Sequence, residues 1–237
     1  MEGKARSNGR EKKVNAPNEK KSLKKKILSF LFAPICPGCG EAVAEGEDAL
    51  CPACRAEMEA VFSPAPFLCR GGNGYADSAF ALFPYDNQKV RRILLEYKKA
   101  DLLANEKVYT EFMSRAKKKM LFLPKADLIT FAPRTHRRRA KYALDQSEKM
   151  AQCLSELFDL PLEKLLKRRP FSRPQHRLNA AGRKKNAEKF FRPVRSLAGE
   201  DVLLIDDIVT TGATAREAAR VLKEAGAMHV YVLCFAH

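Results

Sequence analysis

Apolar positions along this chain follow two rhythms. Ala79 to Tyr85 and Asp127 to Ala132 read as strands. Val202 to Ile205 and His229 to Ala236 are apolar, β-branched-rich runs, of the length and character of parallel strands buried on both faces. Between them the period changes to that of a helix. Val90, Ile93, Leu94 and Tyr97 share one helical face, and Met150, Ala151, Leu154, Leu157 and Phe158 share another. Ala215, Ala218, Ala219 and Leu222 form a third, which Gly226 should end as a left-handed C′ residue. Alternating strands and helices predict an α/β domain with a mainly parallel sheet flanked by helices, from residue 75 to residue 237.

The part before it is patterned differently. Residues 1–22 are polar, charged and aperiodic and read as a basic disordered tail. Residues 23–62 hold a short amphipathic segment and then paired cysteines. Residues 63–74 contain two prolines and three glycines and read as a linker.

Composition narrows the class. At 46% hydrophobic residues, the 237-residue chain is not wholly disordered. No run approaches the ~18 apolar residues of a membrane-spanning helix. Ile27 to Ala33 is apolar and follows a basic segment, but Cys36-Pro37-Gly38-Cys39 comes directly after it in place of a small-residue cleavage site. The expectation is a cytoplasmic protein without membrane insertion. The net charge of +16 is uneven: residues 1–26 carry +7, residues 133–195 carry +12, and the rest sums to −3. Such blocks attract nucleic acid, phosphorylated metabolites or an anionic membrane surface, or simply serve as solvated faces.

Cys36-Pro-Gly-Cys39 and Cys51-Pro-Ala-Cys54 are two Cys-x-x-Cys knuckles, eleven residues apart. Each can present two thiolates to one tetrahedral ion, and four thiolates with no open position suit structural zinc. A redox dithiol or two incidental pairs are the other readings. The zinc would hold together a module too small to fold on its own core. Cys69, Cys153 and Cys234 lack ligand spacing, and the last two sit in apolar patterns as core thiols.

The most informative segment runs from Val202 to Thr214. A buried strand ends in two adjacent carboxylates, Asp206 and Asp207. Thr210, Thr211, Gly212, Ala213 and Thr214 follow, with a helix opening near Thr214. Ligands of open α/β sheets bind beyond the carboxyl ends of the strands. Backbone N–H groups in this loop can wrap a phosphate at the helix N-terminus, where the dipole favours an anion. Two carboxylates beside a phosphate cradle need hydroxyls or a cation as partners. A ribose 5-phosphate satisfies both demands.

This segment resembles the phosphoribosyl-diphosphate (PRPP) motif of the type I phosphoribosyltransferases. With the knuckles in front, the chain resembles the ComF family of competence-associated proteins, which join a zinc ribbon to a phosphoribosyltransferase domain. Ala132-Pro133 with the Arg-rich stretch after it, then Leu144-Asp145-Gln146, resembles the family's proline–arginine segment and its Arg-Gly-Phe-Asn-Gln element. Arg169, Gln175, Arg183, Asn186 and Phe190 resemble its later pattern. Where the family reads Arg-Gly-Phe-Asn, this chain has Tyr142-Ala143-Leu144-Asp145.

The resemblance implies a fold and a chemistry. The fold is a type I phosphoribosyltransferase-like, mainly parallel sheet with flanking helices, preceded by a small N-terminal zinc ribbon. PRPP would bind with Mg²⁺, because the pyrophosphate leaving group carries several negative charges. Pro133-Arg134-Thr135 is the candidate pyrophosphate loop, with Arg134, Arg137 and Arg139 as its cations. Residues 168–189 would form a hood over the site or a nucleic-acid surface.

Three functions stay open. The chain serves natural transformation through single-stranded DNA, alone or with a DNA-uptake helicase. Arg137, Arg138, Arg139 and Arg183 are the candidate contacts there, with Tyr142, Phe171, Phe190 and Phe191 interleaved as stacking faces. Alternatively it is a phosphoribosyltransferase acting on an unidentified base, or a PRPP sensor without turnover. Fold alone does not choose among these.

Overall fold

A computed structural model describes residues 35–43, 50–67, 75–99, 103–119, 126–134, 145–169 and 190–237. The elements are α1 (Pro52–Val61), β1 (Ala65–Pro66), β2 (Ser78–Phe83), α2 (Gln88–Lys99), α3 (Leu103–Lys119), β3 (Leu128–Phe131), α4 (Gln146–Phe158), β4 (Leu166–Arg168), β5 (Phe191–Pro193), β6 (Asp201–Ile208), α5 (Ala213–Glu224) and β7 (His229–Ala236).

Five strands form one sheet in the order β1-β2-β7-β6-β3. Pairing is parallel from β2 through β3, and β1 adds an antiparallel edge. The sheet is thus mainly parallel with flanking helices, as the alternating pattern predicts. Residues 65–66 lie in the stretch read as a linker, yet they pair with β2 (Ala65 with Ala81, Pro66 with Phe80). An edge position suits Pro66, which has no N–H to donate.

The sheet has a core on each face. On one, Met150, Ala151 and Leu154 of α4, Val90, Ile93 and Leu94 of α2 and Phe112 of α3 pack against Phe83, Ile205 and Phe235. On the other, Ala215, Ala218, Ala219 and Leu222 of α5 pack against Val202, Leu204, Val230 and Val232. The alanine-rich face lets α5 sit close to the strands. Gly226 follows its C-cap with φ +110°, and a Cβ there would lie 2.2 Å from the Leu197 carbonyl oxygen. Left-handed backbone and close approach both demand glycine at this one place.

The first core also contains Cys36, Val43, Leu50, Cys54 and Met58. The cysteine segment therefore shares its apolar interior with the α/β domain. Cys234 is buried in β7, whereas Cys153 is half-buried on α4. No helix among the described residues is long and apolar enough to cross a membrane.

A separate antiparallel ribbon, β4–β5, packs its Leu166 and Phe191 into the second core. The stretch between its strands, residues 170–189, lies outside the described residues.

Candidate functional site

Strands β3 and β6 are parallel neighbours, so their carboxyl ends lie side by side. β6 runs to Ile208 and takes in both acids, because its ladder with β7 continues through Asp206–Cys234 and Ile208–Ala236. Asp206 is buried and Asp207 half-buried. The chain leaving β3 brings Arg134 to them. Its Nη2 donates to Oδ2 of Asp207 at 2.9 Å, and the side chain is only 9% exposed. Arg134 Nη2 also donates to Oε1 of Gln146.

The start of α4 completes the cluster. Asp145 is its N-cap residue by position, but its carboxylate turns to the neighbouring loop instead of capping the helix. Oδ2 of Asp145 accepts the Arg134 backbone N–H at 2.8 Å, and Oδ1 lies 3.7 Å from Arg134 Nε. Ser147 Oγ donates to Oδ1 of Asp206 at 3.2 Å. The Asp207 backbone N–H meets the same oxygen at 2.9 Å. Burial, and after it the Asp207 charge, push the Asp206 carboxyl well above the usual carboxylate range. The amide of Gln146 reaches the other way, donating from Nε2 to the Leu94 carbonyl of α2 at 3.4 Å.

Beyond the acids, Val209 N–H donates to Ala236 O, and His237 Nδ1 lies 2.8 Å from Val209 O. Thr210 and Thr211 are exposed, and Gly212 turns left-handed at φ +72°. Helix α5 then starts at Ala213; Gly212 offers it no side-chain cap, and the Ala213 N–H donates only a long 3.5 Å bond to Thr211 Oγ1. Arg216, one turn into the helix, donates from Nη1 to the Thr211 carbonyl at 3.0 Å. An uncapped helix N-terminus offers unsatisfied N–H donors and the positive end of the helix dipole. The cluster thus sets an acid pair, a cation and an anion-favouring helix end around one strand terminus.

The four predicted cysteines also come together. All their Sγ atoms lie within 4.8 Å of one another. A tetrahedral zinc with Zn–S of about 2.3 Å has an S···S edge of about 3.8 Å; Cys39 and Cys51 stand 3.7 Å apart. The Cys51 N–H points to Cys36 Sγ at 3.4 Å. A Cβ on Gly38 would lie 2.6 Å from Cys54 Sγ, so the first knuckle closes only around glycine. Burial and the neighbouring sulfurs push the Cys54 thiol up to about 12. Against burial, backbone N–H groups bring Cys36 down to about 7. Four crowded thiols of this kind could hold a metal such as zinc, whose charge would favour the thiolates. Helix α2 leans on the cluster: Lys89 Nζ lies 3.5 Å from Cys54 Sγ and 3.2 Å from Glu57, and Arg92 Nη2 donates to Cys39 O at 2.9 Å.

The structure therefore joins Asp206, Asp207 and Arg134, and it places Pro133 beside them, its carbonyl accepting from Arg168 Nη1 at 3.1 Å. Thr135, Arg137, Arg138, Arg139 and Arg183 lie outside the described residues. Phe191 is 1% exposed and belongs to the core, so it offers no stacking face. Phe190 is half-buried, with the Arg168 guanidinium 5.5 Å from its ring. Sequence reasoning gave no site role to Asp145, Gln146, Ser147 or Arg216. For the first two the signal was present, since they form the element that resembles the family's motif. Nothing in the spacing marked Ser147 or Arg216.

The phosphoribosyl transferase domain family matches residues 133–237. The chain is 33% identical over 113 residues to the DNA utilization protein YhgH of Salmonella typhi, covering 47% of this chain and 50% of that protein. It thus spans about half the length of that relative. Competence protein ComFC of Streptococcus pneumoniae is 29% identical over 198 residues, covering 83% of this chain and 84% of the relative. Among solved structures, the allosteric regulatory enzyme of purine biosynthesis aligns with a TM-score of 0.40 and 22% identity, over 55% of this chain and 26% of that one. Residues 133–237 are thus a phosphoribosyl transferase domain, in a chain similar to the competence protein ComFC over most of both lengths.

Proposed function

We propose that this ComF-type protein binds PRPP with Mg²⁺ at the carboxyl ends of β3 and β6 and serves DNA uptake through contact with single-stranded DNA. The observation that carries the donor site is the Arg134–Asp207 pair at 2.9 Å, which sets a cation directly against the acid pair. Asp206 and Asp207 accept hydrogen bonds from the ribose 2- and 3-hydroxyls. The N–H groups of Thr211, Gly212, Ala213 and Thr214 receive the 5-phosphate. Arg134 turns from Asp207 toward the diphosphate as ribose hydroxyls take its place. With the diphosphate, the acid pair would hold Mg²⁺, whose charge would help neutralise the leaving pyrophosphate.

The DNA part rests on the relatives, whose names speak of DNA utilization and competence, and on the +12 charge of residues 133–195. Zinc is the metal proposed for Cys36, Cys39, Cys51 and Cys54, in a structural role, and the cytoplasm is the compartment proposed. Titration calorimetry of the metal-loaded chain with PRPP and Mg²⁺, beside the Asp206→Asn, Asp207→Asn double variant, tests the donor site. Saturable heat lost in the variant supports it; wild-type protein without heat of binding overturns it.

A further inference from the structure

The β4–β5 ribbon carries a charge arrangement that folding does not explain. Lys167 and Arg192 are register partners, directly opposite each other, and both are exposed. Like charges at directly opposed positions of an antiparallel pair destabilise it. The nearest described acids in sequence do not relieve them: Glu163 and Glu200 are both taken by Arg195, at 2.9 Å each. Among the described residues, neither Lys167 nor Arg192 has a carboxylate within ion-pair distance. Arg169, one residue beyond β4, adds a third exposed cation, two positions from Lys167. Alternate residues of a strand share a face and lie roughly 7 Å apart, comparable with the spacing of successive phosphates along an extended polynucleotide.

The other face of the ribbon fixes these cations in place. Leu166 and Phe191 are fully buried. The Arg168 guanidinium lies against the Phe190 and Phe191 rings, 5.5 and 5.2 Å from their centroids. Its Nη1 donates to the Pro133 carbonyl, one residue before Arg134. The outer strip is therefore rigidly mounted beside the candidate donor site, with Phe190, only half-buried, at its margin. Positive charge tracking a backbone, next to an aromatic ring, is the chemistry that holds single strands.

We infer that the outer face of the β4–β5 ribbon, through Lys167, Arg169 and Arg192, binds the phosphate backbone of single-stranded nucleic acid. The inference shares its partner with the DNA reading above and is independent of PRPP binding. The folding cost of opposing Lys167 to Arg192 is offset when phosphates lie between them.

The test uses the full chain, loaded with zinc, and a fluorescent oligothymidylate titrated at several salt concentrations. Lys167→Gln and Arg192→Gln should each flatten the dependence of log affinity on log salt by about 0.7, and the double variant by about 1.4. Each single variant should keep or raise the melting temperature, because it removes a like-charge pair, and should leave the heat of PRPP binding unchanged. A double variant with the wild-type salt slope overturns the ribbon while leaving the DNA reading intact. Wild-type protein that does not bind the oligonucleotide overturns both and leaves the donor-site reading standing. Anionic vesicles that bind to the ribbon and are not displaced by oligothymidylate also overturn it.

Discussion

The guanidinium of Arg134 and the carboxylate of Asp207 form an ion pair across the carboxyl ends of two adjacent strands, 73 residues apart in sequence. Both partners are largely shielded, at 9% and 14% side-chain exposure. The acid that would take a ribose hydroxyl is therefore already satisfied by the cation that would take a phosphate. On the proposed reading PRPP would exchange these partners, and the pair would hold both groups in position until it does.

Replacing the cation should weaken the donor more than the fold. Arg134→Gln is expected to lower PRPP affinity roughly tenfold to hundredfold, the loss of one charged hydrogen bond of about 1.5–3 kcal/mol. Calorimetry measures it. An unchanged affinity would remove Arg134 from the site.

Acidity should act through Asp206. Its carboxyl titrates well above the usual range because of burial and the Asp207 charge. The folded state therefore holds this proton more tightly than the unfolded chain. Its stabilising effect is full below the ordinary aspartate value near ~3.9 and is lost as pH climbs through the raised value. PRPP affinity should move oppositely, rising as Asp206 ionises and becomes a full acceptor. Melting and calorimetric curves against pH, flattened in Asp206→Asn, check both.

Chelation should reach beyond the knuckles. Cys36 and Cys54 share a core with Phe83, Val90 and Phe112. Metal removal, or Cys36→Ser with Cys51→Ser, should lower the melting temperature of the whole chain, not of a separate N-terminal transition. Elemental analysis should find about one zinc per wild-type chain and none in the variant. Two resolved transitions would show that the shared core is not cooperative.

Gly226→Ala is the cleanest test of the sheet's second face. The positive φ, and the Leu197 carbonyl oxygen only 2.2 Å from where the alanine Cβ would stand, give an expected loss of about 2–4 kcal/mol. Chemical denaturation measures it. A loss below ~0.5 kcal/mol would show that the αL turn relaxes freely.

The parallel sheet was legible because its strands are buried on both faces and so read as continuous apolar runs, Val202 to Ile205 above all. Helix α5 and its glycine stop followed from periodicity. The acid pair stood out because two carboxylates closing such a run have no packing reason to be there. Arg134 was named from its place after Ala132-Pro133. What the pattern could not give is partnership. Asp145 looks like an ordinary helix cap, and only the fold turns its carboxylate onto Arg134. Likewise β1 is two residues long, too short for any period, and exists because β2 offers it an edge.

Helix α2 sits between the two chemistries. Lys89 and Arg92, near one end, touch the cysteine knuckles, and the Leu94 carbonyl meets Gln146, which also holds Arg134. A helix of 12 residues is a rod of about 18 Å without an internal joint. The two sets of contacts fall within about 8 Å of each other along its axis, so the knuckles cannot shift this half of the rod without displacing the seat of the arginine. Substitutions in either centre should then be compensated at α2 before anywhere else.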